Sequence, residues 1–323
     1  MIAPVPAEWS AQKALWTAWP SHPELWPGPL LAAARVEIAG MINAIARHQP
    51  VRVLVCGDDA LQSARQLLHG QLELINARFG DIWLRDTGPI FTRDGRALRF
   101  ATNGWGGKYL YPHDDEVGDT VAARAGTAIT RHPFVLEGGA LEHNGEGLLM
   151  TTRQCLLNPN RNGWSQAEAE QALTGAFAAS GIIWLDDGLL YDHTDGHIDN
   201  LARFVAPRTV VCQMASGADD PNEALYRHTA SLLQQQGIDV VQIPSPGKVV
   251  DANGDIMPAS HMNFIITNRV VVVPTYGTAS ADDALRALQA LFPQHEVIGV
   301  AANAVLTGGG SFHCITQQEP AHD

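Results

Sequence analysis

An unbroken alternation of two kinds of segment limits what this chain can fold into. Short β-type runs recur along it: Val51–Cys56, Ala97–Ala101, Gly181–Leu185, Thr209–Cys212, Asp239–Ile243, Asn263–Thr267 and Arg269–Pro274. Ala/Leu-rich segments with apolar residues at helical spacing lie between them: Pro29–His48, Asp59–His69, Asp115–Gly126, Ser165–Ser180, Asp220–Gln236 and Ser280–Phe292. Ser165 with Glu168 is a capping-box pair, and Ser280 with Asp282 is a good helix start. The pattern gives about six helices and well over ten short strands, an α/β or α+β chain. Strands do not alternate one for one with helices. Hairpin-like pairs intervene, such as the last two runs joined through Asn268. A repeated unit of several strands plus one helix suits this better than a doubly wound sheet, although internal sequence similarity is weak. No linker or low-complexity stretch divides the chain, so one domain over residues 1–323 is expected.

Several function classes find no support. The net charge of −13 disfavours nucleic acid and anionic membrane as partners, and mildly favours a cationic substrate. No apolar run approaches the roughly 18 residues of a membrane span. Met1–Trp9 lacks a basic and then apolar leader, so a cytoplasmic location is expected. No GxGxxG or GxxxxGK[ST] stands at a strand-to-helix turn, which leaves nucleotide binding without a motif. Cys56, Cys155, Cys212 and Cys314 are far apart with no CxxC pair, which argues against a cysteine zinc site and against a disulfide framework. Cys56, Cys155 and Cys212 sit in apolar β-type runs and read as small core residues.

Cys314 differs. It follows Gly308-Gly309-Gly310 by four residues, in a short β-type run. Glycines in succession are costly unless backbone must approach a ligand closely or take positive φ. A reactive thiol needs that access, although a buried strand cysteine after a glycine turn is the commoner reading of a free cysteine. Three other segments pair acid or imidazole with a glycine bend. In Asp192–Asn200, His197 and Asp199 share a face if the segment is extended, which suits an acid/base imidazole beside a cation-holding carboxylate. The same stretch also fits a metal site of His193, Asp195, His197 and Asp199, or a solvated loop. Asp86, before Gly88-Pro89, is a turn former or a carboxylate at a strand end, with Trp83 as an apolar or cation–π wall. Glu137 meets Gly138-Gly139 at the end of an apolar run. Together these groups suit a planar cation. A guanidinium presents five N–H donors in one plane, which carboxylates match in bidentate pairs, leaving its carbon open to a thiolate from above.

The segments WLRDTGP (Trp83–Pro89), LEGGA (Leu136–Ala140), LLNPNRN (Leu156–Asn162), HTDGHIDN (His193–Asn200), MNFIITN with VVVVP (Met262–Pro274) and GGGSFHCITQQEP (Gly308–Pro320) occur in this order. In them the chain resembles the agmatine deiminase and bacterial-type peptidyl-arginine deiminase family. The resemblance implies a pentein fold of five ββαβ-type units around a central site. It implies hydrolysis of a guanidinium to a ureido group and ammonia, without metal or organic cofactor, with agmatine giving N-carbamoylputrescine for putrescine and polyamine synthesis. Cys314 is then the nucleophile, passing through a covalent thiouronium-like intermediate, and His197 is the general acid and then base. Asp86 and Asp199 hold the guanidinium, Glu137 is a further carboxylate near His197, and Trp83 lines the pocket. Arginine or peptidyl-arginine is the alternative substrate, and amidino transfer a minor one. A metal-dependent hydrolase built on His193–Asp199 is the competing class, but leaves Cys314 and its glycines unexplained. Penteins of this kind are often homo-oligomers.

Two features qualify the resemblance. Carboxylates beside Cys314 oppose its ionisation, so the arriving cation or a protonated His197 has to compensate. The chain also departs from the family pattern at Trp19–Trp26, after Asn103–Lys108, and at His261, where an aromatic Tyr is more usual. These regions are expected to shape the far end of the substrate.

Overall fold

The computed structural model describes residues 4–321. The alternation resolves there into five small mixed sheets. Four follow one recipe. A short strand pairs antiparallel with the next, a helix crosses over, and a third strand lies parallel to the second. Parallel neighbours need such a crossover, which is why one amphipathic helix recurs per unit. The first of these units uses Ile90–Phe91, Arg96–Ala101, the helix Val117–Ala125 and Ala128–Val135. The next uses Glu142–His143, Leu148–Thr152, the helix Gln166–Phe177 and Gly181–Leu185. Ala202–Ala206, Thr209–Met214, the helix Glu223–Gln235 and Asp239–Pro244 follow. Ile265–Ile266, Val270–Thr275, the helix Ala281–Leu291 and Glu296–Ala301 complete the four.

The fifth sheet is made from both ends of the described chain. Thr316–Pro320 pairs antiparallel with Gln12–Ala18. Gln12–Ala18 lies parallel to Val51–Val55 across the helix Leu30–Ala46. A further helix, Asp58–Leu67, leads to an added parallel strand, Leu72–Asn76. The unit is again ββαβ, with its first strand supplied from the far end of the sequence. Five such units form the pentein architecture.

Burial explains the local choices. Val270–Val273 is buried on both faces, as a β-branched run in a central strand should be. The helix Leu30–Ala46 buries Ala34, Ile38, Met41, Ile42 and Ile45, one stripe at i, i+4, i+7, i+8 and i+11. Ser165 and Glu168 form the expected capping box. Ser280 stands at its helix start but does not cap; its hydroxyl donates to the Ser245 carbonyl at 2.6 Å. Cys155 is not in a strand: it lies in the one-turn helix Arg153–Leu156, with its N–H donated to the Thr152 hydroxyl. Cys314 also lies outside the strand, in the turn just before Thr316. Among the described residues no helix is long and apolar enough to cross a membrane.

Candidate active site

Each unit hands over to the next through an irregular connection, and the chemistry-bearing residues all lie on these connections. Asp86 sits in the single turn Leu84–Thr87 rather than at a strand end. Its Oδ2 accepts from the Trp105 indole at 2.8 Å and its Oδ1 from the Gly139 N–H at 2.8 Å. Trp83 donates to Asp81 Oδ2 at 2.9 Å, which fixes its ring at the cavity wall. Glu137 immediately precedes the 3₁₀ turn Gly138–Ala140. Its Oε1 accepts from Arg161 Nε at 2.8 Å, and its Oε2 has no partner.

His197 and Asp199 do converge, but not because the segment is extended. Ile198–Asn200 is a 3₁₀ turn, so alternation along a strand does not apply. Gly139 reveals the convergence. A Cβ there would lie 2.6 Å from His197 Nδ1, 2.9 Å from Asp86 Oδ1 and 3.1 Å from Asp199 Oδ2. Only a residue without a side chain lets the three polar groups close on one point. Both ring nitrogens of His197 and Asp199 Oδ1 are buried without partners. Orphaned buried polar atoms at one place call for a polar ligand.

Cys314 is 3% exposed and lies on the wall of a cavity of about 260 Å³, with Trp83, Asp86, Trp105, Tyr109 and His193. Its Sγ is 3.7 Å from Asp199 Oδ2. The glycine run lets this wall form: a Cβ on Gly310 would come 2.7 Å from the Trp83 ring and 3.2 Å from Cys314 Cβ. Of the three departures from the family pattern, one reaches the wall of this cavity. The segment after Asn103 supplies Trp105 and Tyr109 to its wall, whereas Trp26 packs behind Trp83 with ring centroids 6.2 Å apart. His261 is buried off the wall, with Nδ1 2.9 Å from the Pro274 carbonyl.

Three residues were not singled out from the sequence. Asn263 Nδ2 donates to Cys314 Sγ at 3.1 Å, and its Oδ1 accepts from the N–H groups of His313 at 2.8 Å and Cys314 at 3.2 Å. One carboxamide thus holds both the backbone and the sulfur of Cys314. Asn263 stands two residues before the first strand of its unit, just as Cys314 stands two before Thr316, and that repeat position was the available signal. His313 Nδ1 lies 2.8 Å from Asp199 Oδ2, and its Nε2 lies 3.0 Å from Glu8 Oε2. Glu8 and Glu142 both pair with the buried Arg203. No motif surrounds Glu8.

The four residues of the competing metal cluster are not assembled. Asp195 is held by Lys108 at 2.8 Å, by Arg161 at 2.8 Å and by Asn160 at 3.0 Å. His193 lines the cavity against Tyr109, ring centroids 6.4 Å apart. Among the described residues, the donor groups that come together are Glu137, Cys155 and His197, and Glu8, Glu142 and His313. Each set already contains an arginine-paired carboxylate.

The electrostatics oppose charge in the empty site. Burial pushes the Cys314 thiol well above its usual range, and the Asp199 and Asp86 carboxyls push it further; the Asn263 hydrogen bond acts in the other direction. Burial, then Asp86, raises Asp199 well above the carboxylate range. Burial and then Glu137 raise Asp86 to about 7, against the Trp105 and Gly139 hydrogen bonds. Burial lifts Glu137 while Arg161 opposes it. His197 is held well below the imidazole range by burial and then Arg161, so it is neutral at pH 7. Such a site is poorly ionised when empty, and an incoming cation would reverse the balance for every acid in it.

The sequence profile of the Porphyromonas-type peptidyl-arginine deiminase family matches residues 4–320. A putative agmatine deiminase of Vibrio parahaemolyticus is 37% identical over 348 residues, covering 98% of this chain and 96% of the relative. The structure of an agmatine deiminase of C. jejuni with substrate bound superposes with a TM-score of 0.92 at 28% identity, covering 100% of this chain and 97% of that one. That of a putative arginine deiminase of Porphyromonas gingivalis gives a TM-score of 0.87 at 34% identity, with 97% of each chain covered. By profile, identity and fold alike, the chain belongs to the Porphyromonas-type peptidyl-arginine deiminase family.

Proposed function

We propose that the chain is an agmatine deiminase, hydrolysing the guanidinium of agmatine to N-carbamoylputrescine and ammonia. Convergence of Asp86, Asp199 and His197 on the space left by Gly139, next to Cys314, carries this reading. Asp86 and Asp199 hold the planar cation in bidentate fashion and compensate its charge in a desolvated site. The cation in turn favours the Cys314 thiolate, which Asn263 also favours. The thiolate attacks the guanidinium carbon. His197 takes up the thiol proton and passes it to the departing amine, leaving a thiouronium. Neutral again, His197 accepts a proton from water, which attacks the same carbon; the ureido product leaves and the thiol is restored. Glu137, fixed by Arg161, lies within 4.8 Å of His197 as the further carboxylate beside it.

Agmatine is favoured over arginine by the cavity wall. It includes Trp105, Tyr109 and Tyr111, but no lysine or arginine among the described residues. Aromatic faces suit a chain ending in an ammonium, whereas an α-carboxylate would find no cation. Ammonia release from agmatine, arginine and peptidyl-arginine tests the choice. Agmatine should be preferred, and Cys314→Ser should abolish turnover. Preference for arginine or a peptide would overturn the substrate; no release from any of them would overturn guanidinium hydrolysis.

A further inference from the structure

His313 is buried, titratable and unused by the chemistry above. Its ring stands between two carboxylates, Asp199 at 2.8 Å from Nδ1 and Glu8 at 3.0 Å from Nε2. A neutral imidazole has one N–H and one lone pair, so it cannot donate to two ionised carboxylates. The two contacts require either an imidazolium or one protonated carboxyl. Glu8 is not the protonated one: although burial pulls it upward, Arg203 and His313 hold it below the usual carboxylate range. Burial, followed by Arg203 and Arg85, disfavours the imidazolium, whereas Glu8 favours it. Asp199 has an unpartnered Oδ1 and faces Cys314 and Asp86 with no cation in contact. In the empty site the extra proton therefore belongs on Asp199, with Asp199 O–H donating to Nδ1 and Nε2–H donating to Glu8.

We propose that His313 is a proton store for Asp199: when the guanidinium cation binds, the Asp199 proton moves to His313 Nδ1, and it returns once the group facing Asp199 has become the neutral ureido group and leaves. The step balances. The Oδ2–H bond breaks, the Nδ1–H bond forms, and the Asp199–His313–Glu8 triad carries one negative charge before and after. The carboxylate that holds the cation is created on demand, with no exchange with water. In the empty site Cys314 faces a neutral acid rather than an uncompensated buried anion. After binding, the imidazolium is flanked by two carboxylates, with Arg203 behind Glu8 and Glu142 behind Arg203. His313 acts through Asp199 and is a positioning residue, not one that touches substrate.

This inference rests on the proposal that Asp199 receives a guanidinium, and the test separates the two. Histidine-labelled protein carrying Cys314→Ser, which halts turnover, is examined by ¹⁵N NMR near pH 7.5 with and without agmatine, the His313 ring being assigned through its backbone. The expected result is a neutral ring protonated at Nε2 alone in the free protein, and protons on both nitrogens once agmatine is bound. Agmatine binding with an unchanged His313 ring, or an imidazolium already present in the free protein, overturns the proton store and leaves the deiminase activity untouched. If wild-type protein releases no ammonia from any guanidino compound, the proposed function falls and this inference falls with it.

Discussion

Replacing Asn263 by alanine isolates what the sequence motifs did not reveal. Its carboxamide donates to Cys314 Sγ at 3.1 Å and accepts from the Cys314 N–H at 3.2 Å. When the sulfur is ionised the first bond is charge-assisted, and such bonds contribute about 1.5–3 kcal/mol. At 1.36 kcal/mol per pKa unit, losing it raises the thiol by about one to two units. The Cys314 N–H also loses this acceptor in a buried place, which costs about 1–3 kcal/mol of stability. The His313 N–H keeps the Asn263 carbonyl at 3.1 Å, so the turn retains one tether. Asn263→Ala should therefore lower kcat/KM for agmatine by about 10- to 100-fold. It should move the pH profile of iodoacetamide alkylation at Cys314 upward by about one to two units, and lower the denaturant midpoint. Asn263→Asp, which puts a further carboxylate beside the sulfur, should be worse on activity. A kcat/KM within about threefold of wild type, with an unmoved alkylation profile, would refute a thiolate-stabilising role for this hydrogen bond.

Gly139→Ala places a methyl 2.6 Å from His197 Nδ1 and 2.9 Å from Asp86 Oδ1, and should cost about 100-fold or more in kcat/KM while circular dichroism stays unchanged. Asp86, raised by burial to about 7, is neutral below that pH and then offers the cation no charge, so kcat/KM should climb with pH and level off above about 7. Trp105→Phe removes a hydrogen bond that favours the ionised form, so its pH–rate profile should show that limb displaced upward. Because its folded value lies above its unfolded one, Asp86 destabilises the empty fold progressively from the ordinary aspartate range up to about pH 7; Asp86→Asn should raise the Tm at pH 8 while removing agmatine binding in calorimetry.

The architecture was legible because hairpins and crossover helices leave different periodicities, and because each unit repeats the same order. The candidate site was legible where a single segment joined an acid, an imidazole or a thiol to a glycine bend, as at Asp86, Glu137, His197–Asp199 and Cys314. The structure brings these side chains together, although for His197 and Asp199 the cause is a 3₁₀ turn and not strand alternation. Asn263, His313 and Glu8 stayed hidden because their roles exist only between connections far apart in sequence. Asn263 meets Cys314 across 51 residues, and Glu8 meets His313 across 305. No local pattern encodes such a pair; for Asn263 the signal is its repeat position, two residues before a first strand as Cys314 is. Asp195 was misleading for the opposite reason: its neighbours in sequence suggested a metal, whereas its neighbours in space are Lys108 and Arg161.

The strand Thr316–Pro320 that completes the fifth sheet has a kinetic consequence. It joins Gln12–Ala18 through contacts such as Trp16 Nε1 to Glu319 Oε2 at 2.8 Å, between residues 303 apart. Pairings of such separation carry a loop-closure entropy that must be met before their contacts reward it, which slows their formation. Cys314 lies two residues before that strand, so its pocket exists only once this long-range pairing is made. Before closure the thiol is that of an unfolded chain and ionises more readily than in the folded site, where burial and the Asp199 and Asp86 carboxyls push it up. Cys314 is thus more vulnerable to oxidation and alkylation while the protein folds than after it has finished.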